Sequence, residues 1–306
     1  STYFAMLNRG KRSVTVDMKS ADGVALVRSL ASQADVIIEN FRPGVMARLG
    51  LDHESLQKDN PRLIYAVGSA VGQRGPESDK GGYDAISYWA RGGISSALTE
   101  PDADYPVGPA GPAHGDTLSG SMLAGGICAA LLHRTKTGKG CKVQTALFNS
   151  ALWNLQLNIA TANNNAHLSM DEYNRLKSQR TKPRSALMNT YRSRDGRWIT
   201  VMALEYDRYW KPFAEIVLQR PDLADDPRFC NQMAGFQNAE VLAALIDEAF
   251  AELTEEQIVT RLKSADIAHE INLLWKEIKD DVTALENGFI FQYKMPSGRI
   301  DWLVGN

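Results

Sequence analysis

Three short runs rich in β-branched and apolar residues, at 13–17 (SVTVD), 34–39 (ADVIIE) and 63–67 (LIYAV), alternate with stretches of helical period. This alternation constrains the fold more than any other feature of the chain. Residues 13–17 switch between polar and apolar, as a half-buried strand does. Residues 20–33 set Val24, Leu26, Val27 and Leu30 at helical spacing. Val36, Ile37 and Ile38 stand side by side, the pattern of a strand covered on both faces in a parallel sheet. Arg42-Pro43-Gly44 breaks that strand. Helices are predicted near 45–49 and after Asp52, and Asn60-Pro61 closes the second of them. Strand, helix, strand, helix, strand predicts a right-handed parallel α/β unit. Ligands of such sheets lie beyond the carboxyl ends of the strands. Those ends carry Glu39-Asn40-Phe41-Arg42 and the stretch from Gly68 to Gln73. Neither GSAVGQ nor GPAGPAHG has the G-x-G-x-x-G spacing and no P-loop is present, so neither a dinucleotide nor an ATP site is expected.

With 306 residues the chain is long enough for two domains. A formal net charge of −2 gives no electrostatic argument for nucleic acid or for an anionic membrane surface. No apolar run is read as long enough to span a bilayer, and no signal peptide precedes Ser1. The chain opens without an initiator methionine, and its natural start is expected upstream. Three cysteines, Cys128, Cys141 and Cys230, form no CxxC pair and no metal-type cluster. Cys128 sits on a helical apolar stretch and Cys141 opens a strand, so both are expected in the core. An odd count without a disulfide framework suits a reducing cytoplasm.

The turn AHGDTLSG at 113–120 is the first candidate for chemistry. Asp116 lies there ahead of a helical segment with Met122, Leu123, Ile127, Ala130 and Leu131 on one face. The positive end of a helix dipole is expected to hold such a carboxylate ionised and oriented, as a nucleophile requires. An ordinary N-cap is the plainer account of the same residue. Arg9, Lys11 and Arg12 read either as a solvated strand entrance or as a contact for phosphate. Phe41 beside Arg42 is either a core residue or an aromatic face for an adenine ring.

Further along, residues 163–184 are polar and read as a linker. Strands on either side of Asp195-Gly196 predict a hairpin. Amphipathic helices are expected over 207–218, 240–253 and 255–264, and Trp198, Trp210 and Trp275 are expected in the core. Residues 289–293 and 298–304 read as the beginning of a return to the first domain.

The motifs LNRGKRSVTVDMKSADG, ADVIIENFRPGVMARLGL, NPRLIYAVGSAVGQRGP, GGYDAISYWARGG, HGDTLSGSMLAGGICAALLHRTKTGKG and NTYRSRDGRWITVMA follow one another along the chain. Together they resemble the class III CoA-transferases, the CaiB/BaiF group that includes formyl-CoA, carnitine and bile-acid CoA-transferases. The α-methylacyl-CoA racemases resemble relatives on the same fold. The resemblance implies an α/β fold: a Rossmann-like large domain over 1–165, a linker over 166–187, a smaller α+β domain over 188–287, and the start of a return linker over 288–306. It implies two chains interlocked as a homodimer, and a chain here shortened at both ends.

By the same resemblance Asp116, in the Gly115-Asp116 turn, is the catalytic nucleophile. It would form an aspartyl anhydride and then an aspartyl-CoA thioester while CoA passes from an acyl-CoA donor to a small free carboxylic acid. Tyr83, Asp84 and Gly115 would line the substrate. Coenzyme A, entering as acyl-CoA, would meet Asn40, Phe41 and Arg48 near its adenine and Asn8, Arg9, Lys11 and Arg12 near its phosphates. No metal is implied. The racemases look to carry histidine where Tyr83 stands, and a tyrosine with a pKa of about 10 is a poor base for an α-proton. Transfer is therefore preferred to racemisation or epimerisation, with a non-catalytic or truncated homologue as the other alternative. The segment SALMNTYRSRDGRWITVMAL is similar to the bile-acid and 2-hydroxyacyl branch.

Overall fold

Capping and packing account for most of the elements in the computed structural model, which describes all residues except 1, 170, 171, 173–176, 296 and 306. The expected linker, 166–187, lies partly outside the described residues. Contacts divide the chain into two units, residues 13–175 and residues 1–12 with 176–306. Helix α1 (Thr2–Asn8) therefore belongs with the C-terminal residues, and not with the first sheet as the expected boundary of 1–165 had it.

In the unit of residues 13–175, Ser20 opens α2 (Ala21–Gln33) by accepting the Gly23 N–H at 3.0 Å, and Asp52 opens α4 (His53–Asp59) in the same way. Between them lie β1 (Val36–Glu39) and α3 (Val45–Arg48), and after them β2 (Ile64–Ser69). Val24, Val27 and Ala31 of α2 meet Met46, Leu51, Leu56, Tyr65 and Val67 in one apolar cluster. Leu26 and Leu30, expected on the same face, are exposed. A π-helical segment (Asp84–Ala90) and α5 (Ile94–Leu98) lead to the long helix α6 (His114–Thr137), then β3 (Lys142–Ala146), α7 (Leu147–Asn154) and α8 (Gln156–Asn164).

The sheet is parallel in the order β1-β2-β3, with Val36 opposite Ile64 and Tyr65 opposite Lys142. The predicted strand at 13–17 is absent. Among the described residues no neighbouring strand takes their backbone hydrogen bonds, so the alternating pattern alone does not make a ladder. The outer flank of β1 is consequently an edge, and the third strand is β3.

Helix α6 packs on β2 and β3 through small residues; a Cβ at Gly126 would lie 2.8 Å from Val143 Cγ1. Its buried positions are Gly115, Ser119, Leu123, Ala130 and Arg134, all on one side at helical spacing. Cys128 falls on the opposite side and is exposed, so the expected core placement is corrected; Cys141 is half-buried. By length and composition alone α6 is long and apolar enough to span a bilayer, which corrects the expectation that no run approaches that length. Its tie to the sheet is polar. The Arg134 guanidinium pairs with Asp35 at 2.8 Å and donates to the Arg62 carbonyl at 3.1 Å. Gly140 follows against the Leu63 carbonyl, where a Cβ would come within 2.0 Å.

The other unit is built on an antiparallel sheet of β4 (Met188–Arg192), β5 (Trp198–Met202) and β6 (His269–Ile271). The hairpin turns at Asp195-Gly196 as expected, with Gly196 at φ 85°. Helices α9 (Tyr206–Pro212), α10 (Ala239–Ala251) and α11 (Glu255–Ser264) cover it. Tyr191, Ile199, Trp210, Phe213 and Phe250 form its core. Trp198 and Trp275 are both exposed, Trp275 the more so, which corrects their expected burial. Strands β7 (Ile290–Lys294) and β8 (Ile300–Val304) form a hairpin that meets α1.

Candidate active site

Asp116 occupies the third position of α6 and is not its cap. The N-cap is Ala113, an alanine in the left-handed region at φ 67° with no side chain to offer the first turn. The acceptor comes from elsewhere. Asp84, at the start of the π-helical segment and only 9% exposed, accepts the Gly115 N–H on Oδ1 at 2.6 Å. Gly115 is required by this packing, since a Cβ would lie 2.2 Å from Tyr88 Cγ. The Tyr88 hydroxyl accepts from Asn154 Nδ2 at 3.0 Å, and the His114 ring meets Trp89 edge-on at 6.1 Å between centroids.

The Asp116 carboxyl itself is exposed. Partial desolvation and, second, the nearby Asp84 carboxylate raise its pKa above the ordinary aspartate value. The helix start is expected to hold this carboxylate ionised; loss of hydration and a like charge act in the other direction. Raised basicity is the property of a better carboxylate nucleophile.

A separate cleft of about 420 Å³ opens on the sheet face that carries Tyr65, Val67 and Ser69. Phe41, Arg42, Met46, His53 and Lys142 are among the residues that line it; Asp116 is not. Phe41 is 50% exposed on this cleft, as an aromatic contact surface rather than a core residue. Burial lifts the Glu39 pKa, while the Phe41 N–H at 2.9 Å and the charge of Lys142 pull it back. Tyr65 is pushed up by burial and donates its hydroxyl proton to the Leu51 carbonyl at 3.1 Å. The His53 ring packs edge-on against Tyr65, and its Nε2 is buried without a partner. His53, Tyr65 and Lys142 escaped sequence reasoning. Residues 65, 67 and 69 sharing one strand face was the signal available for the cleft floor.

Of the expected contacts, Asn40 and Arg48 are exposed residues near Phe41 in the chain. Tyr83 precedes the π-helical segment and is 77% exposed. Asn8, Arg9, Lys11 and Arg12 belong to the unit of residues 1–12 with 176–306. There the Asn8 amide donates to the Phe4 carbonyl and Lys11 to the Leu7 carbonyl. Arg9 donates to the Val304 carbonyl and lies over the Phe291 ring. Among the described residues no group of three His, Cys, Asp or Glu side chains is placed to hold a metal.

A model of CoA-transferase family III matches residues 1–304. The chain belongs to this family. Its relatives include the (R)-2-hydroxy-4-methylpentanoate CoA-transferase of Clostridioides difficile, 31% identical over 98% of this chain and 73% of the relative. Among solved structures, that of Rv3272 from Mycobacterium tuberculosis superposes with a TM-score of 0.84 at 29% identity, covering all of this chain and 79% of that one. A CAIB/BAIF family protein from Brucella suis gives 0.77 at 29% identity, over 98% of this chain and 75% of its own. The protein is a class III CoA-transferase, and its α/β fold with a parallel sheet is the fold of that family.

Proposed function

We propose that this CoA-transferase moves CoA from an acyl-CoA donor to a free carboxylate through covalent intermediates on Asp116. The observation that carries the reading is an exposed carboxyl of raised basicity in the first turn of α6, beside the side-chain-free Gly115. An Asp116 oxygen attacks the thioester carbonyl and the CoA thiolate leaves, giving a mixed anhydride. The thiolate then attacks the Asp116 carbonyl carbon, the donor acid departs as its carboxylate, and an aspartyl-CoA thioester remains. The acceptor carboxylate attacks that thioester and expels the thiolate. Attack of the thiolate on the acceptor carbonyl of the second anhydride releases the new acyl-CoA and restores Asp116. Because Asp84 already takes the Gly115 N–H, the amides of His114 and Asp116 are the first-turn donors left for the oxyanions.

Phe41 on the cleft supports an adenine contact there, with Asn40 and Arg48 beside it in the chain. The phosphate role of Asn8, Arg9, Lys11 and Arg12 is the part of the expectation with the least support, since Arg9 is already engaged by β7 and β8. An interlocked homodimer belongs to the same reading, through the family, and a cytoplasmic location is proposed from the odd cysteine count. The Clostridioides difficile relative favours a 2-hydroxy acid as acyl group, in line with the branch that the sequence resembles.

Mass spectrometry of the protein incubated with a panel of acyl-CoA thioesters tests the proposal. A CoA-sized adduct on the peptide holding Asp116, removed by hydroxylamine, is expected. Turnover without any adduct, or an adduct on another residue, overturns it.

A further inference from the structure

The first turn of α6 is capped from a distance. In α2 and α4 the residue just before the helix supplies the oxygen that accepts a first-turn N–H. Ala113 has no such oxygen, and Asp84, separated from Gly115 by 31 residues, replaces it at 2.6 Å. The contact is built on both sides. On one, Gly115 has no Cβ, which would otherwise stand 2.6 Å from Asp84 Oδ1 and 2.5 Å from Tyr88 Cβ. On the other, Gly82 sets the start of the π-helical segment against Ala70, where a Cβ would come within 2.7 Å of the Ala70 Cβ and 2.1 Å of Ser87 Oγ. Asp116 is the next residue after the amide so held. A hydrogen bond from an amide to an ionised, desolvated carboxylate is about twice as strong as a neutral one.

We propose that Asp84 is a positioning residue for the transfer reaction: by capping the first turn of α6 through the Gly115 amide, it fixes the place from which the Asp116 carboxyl attacks. This rests on Asp116 being the nucleophile. Asp84 does a second thing by carrying charge. Among the described residues, Asp84 and Tyr88 from the π-helical segment and His114 on α6 stand at this turn; α7, packed alongside, has no charged side chain, and the titratable groups of β2 and β3, Tyr65 and Lys142, line the separate cleft. Among the described residues neither Asp84 nor Asp116 has a cation in an ion pair. The two carboxylates therefore act on each other, and the Asp116 pKa moves up in part for that reason. An oxygen that caps and a charge that repels are separable by mutation. Asn keeps the first and removes the second; Ala removes both.

The test compares Asp84→Asn and Asp84→Ala in the full-length protein. The readouts are the pH profile of CoA transfer and the ¹³C carboxyl titration of Asp116, assigned with Asp116→Asn. In Asp84→Asn the Asp116 midpoint and the acid limb of the profile should both move to lower pH, with kcat within about tenfold of the parent. In Asp84→Ala kcat should fall about tenfold further, while KM for acyl-CoA changes less than about threefold. A residue that only stabilised the fold would lower Tm in both variants and leave the acid limb in place. Equal kcat in the two variants, or an Asp116 midpoint unmoved in Asp84→Asn, overturns the proposal; the Asn variant decides this even where Ala fails to fold. Turnover that survives Asp116→Asn would instead sink the nucleophile reading, and the carboxyl titration would still report on Asp84.

Discussion

Asp116 combines exposure with a pKa raised from the ordinary aspartate value, and the sign of the linkage follows from that. The folded protein binds this proton more tightly than the unfolded chain, so ionised Asp116 opposes folding at neutral pH. That opposition is complete above the raised folded pKa and is lost as pH falls through it toward the ordinary value. Asp116→Asn should therefore be more stable than the parent at about pH 7, with the difference gone at about pH 3, in paired urea titrations. The same substitution should lower CoA transfer by about a thousandfold or more, measured as exchange of labelled acid into acyl-CoA. The Asp116 turn stood out in the sequence as a carboxylate beside a glycine ahead of an apolar helix, but its nucleophile role came from the family resemblance. The Asp84 contact was not legible, because no local pattern reports a hydrogen bond between a carboxylate and an amide 31 residues away.

Among the elements, α6 explains why a family motif can be structural as well as functional. Arg134, in the HRTKTGKG segment, is a buried clasp between the helix and the start of β1 and the turn before β2. Arg134→Met should leave the Arg62 carbonyl without its side-chain donor and the Asp35 carbonyl with the Ile64 N–H alone, at a cost of about 1–3 kcal/mol in urea unfolding. Asp35→Ala should cost less than about 1 kcal/mol, since that carboxylate is largely in water. The helices and strands β1 and β2 were readable because caps and apolar runs are local. Residues 13–17 misled for the opposite reason: alternation describes a side-chain pattern, whereas a strand also needs a neighbour. Cys128 misled through composition, which marks α6 as apolar without saying which side meets the sheet.

Over the whole molecule, apolar burial is uneven. Residues 176–306 hold a continuous core in which Phe250 meets Tyr191 edge-on at 5.4 Å and stacks with Phe213 at 6.5 Å. Phe250→Ala should destabilise that unit by about 3–5 kcal/mol, seen as an earlier unfolding transition for its tryptophans. Residues 13–175 carry instead two smaller clusters around three parallel strands. Along the outer flank of β1 the backbone donors and acceptors meet no other strand among the described residues, and Ile38 is 64% exposed. A bare rim of this kind is a template for any passing backbone. Handled by itself in concentrated solution, the 306-residue chain is expected to gather rim to rim, with scattered light climbing faster than concentration. A charge set there, Ile38→Lys, should keep it dispersed.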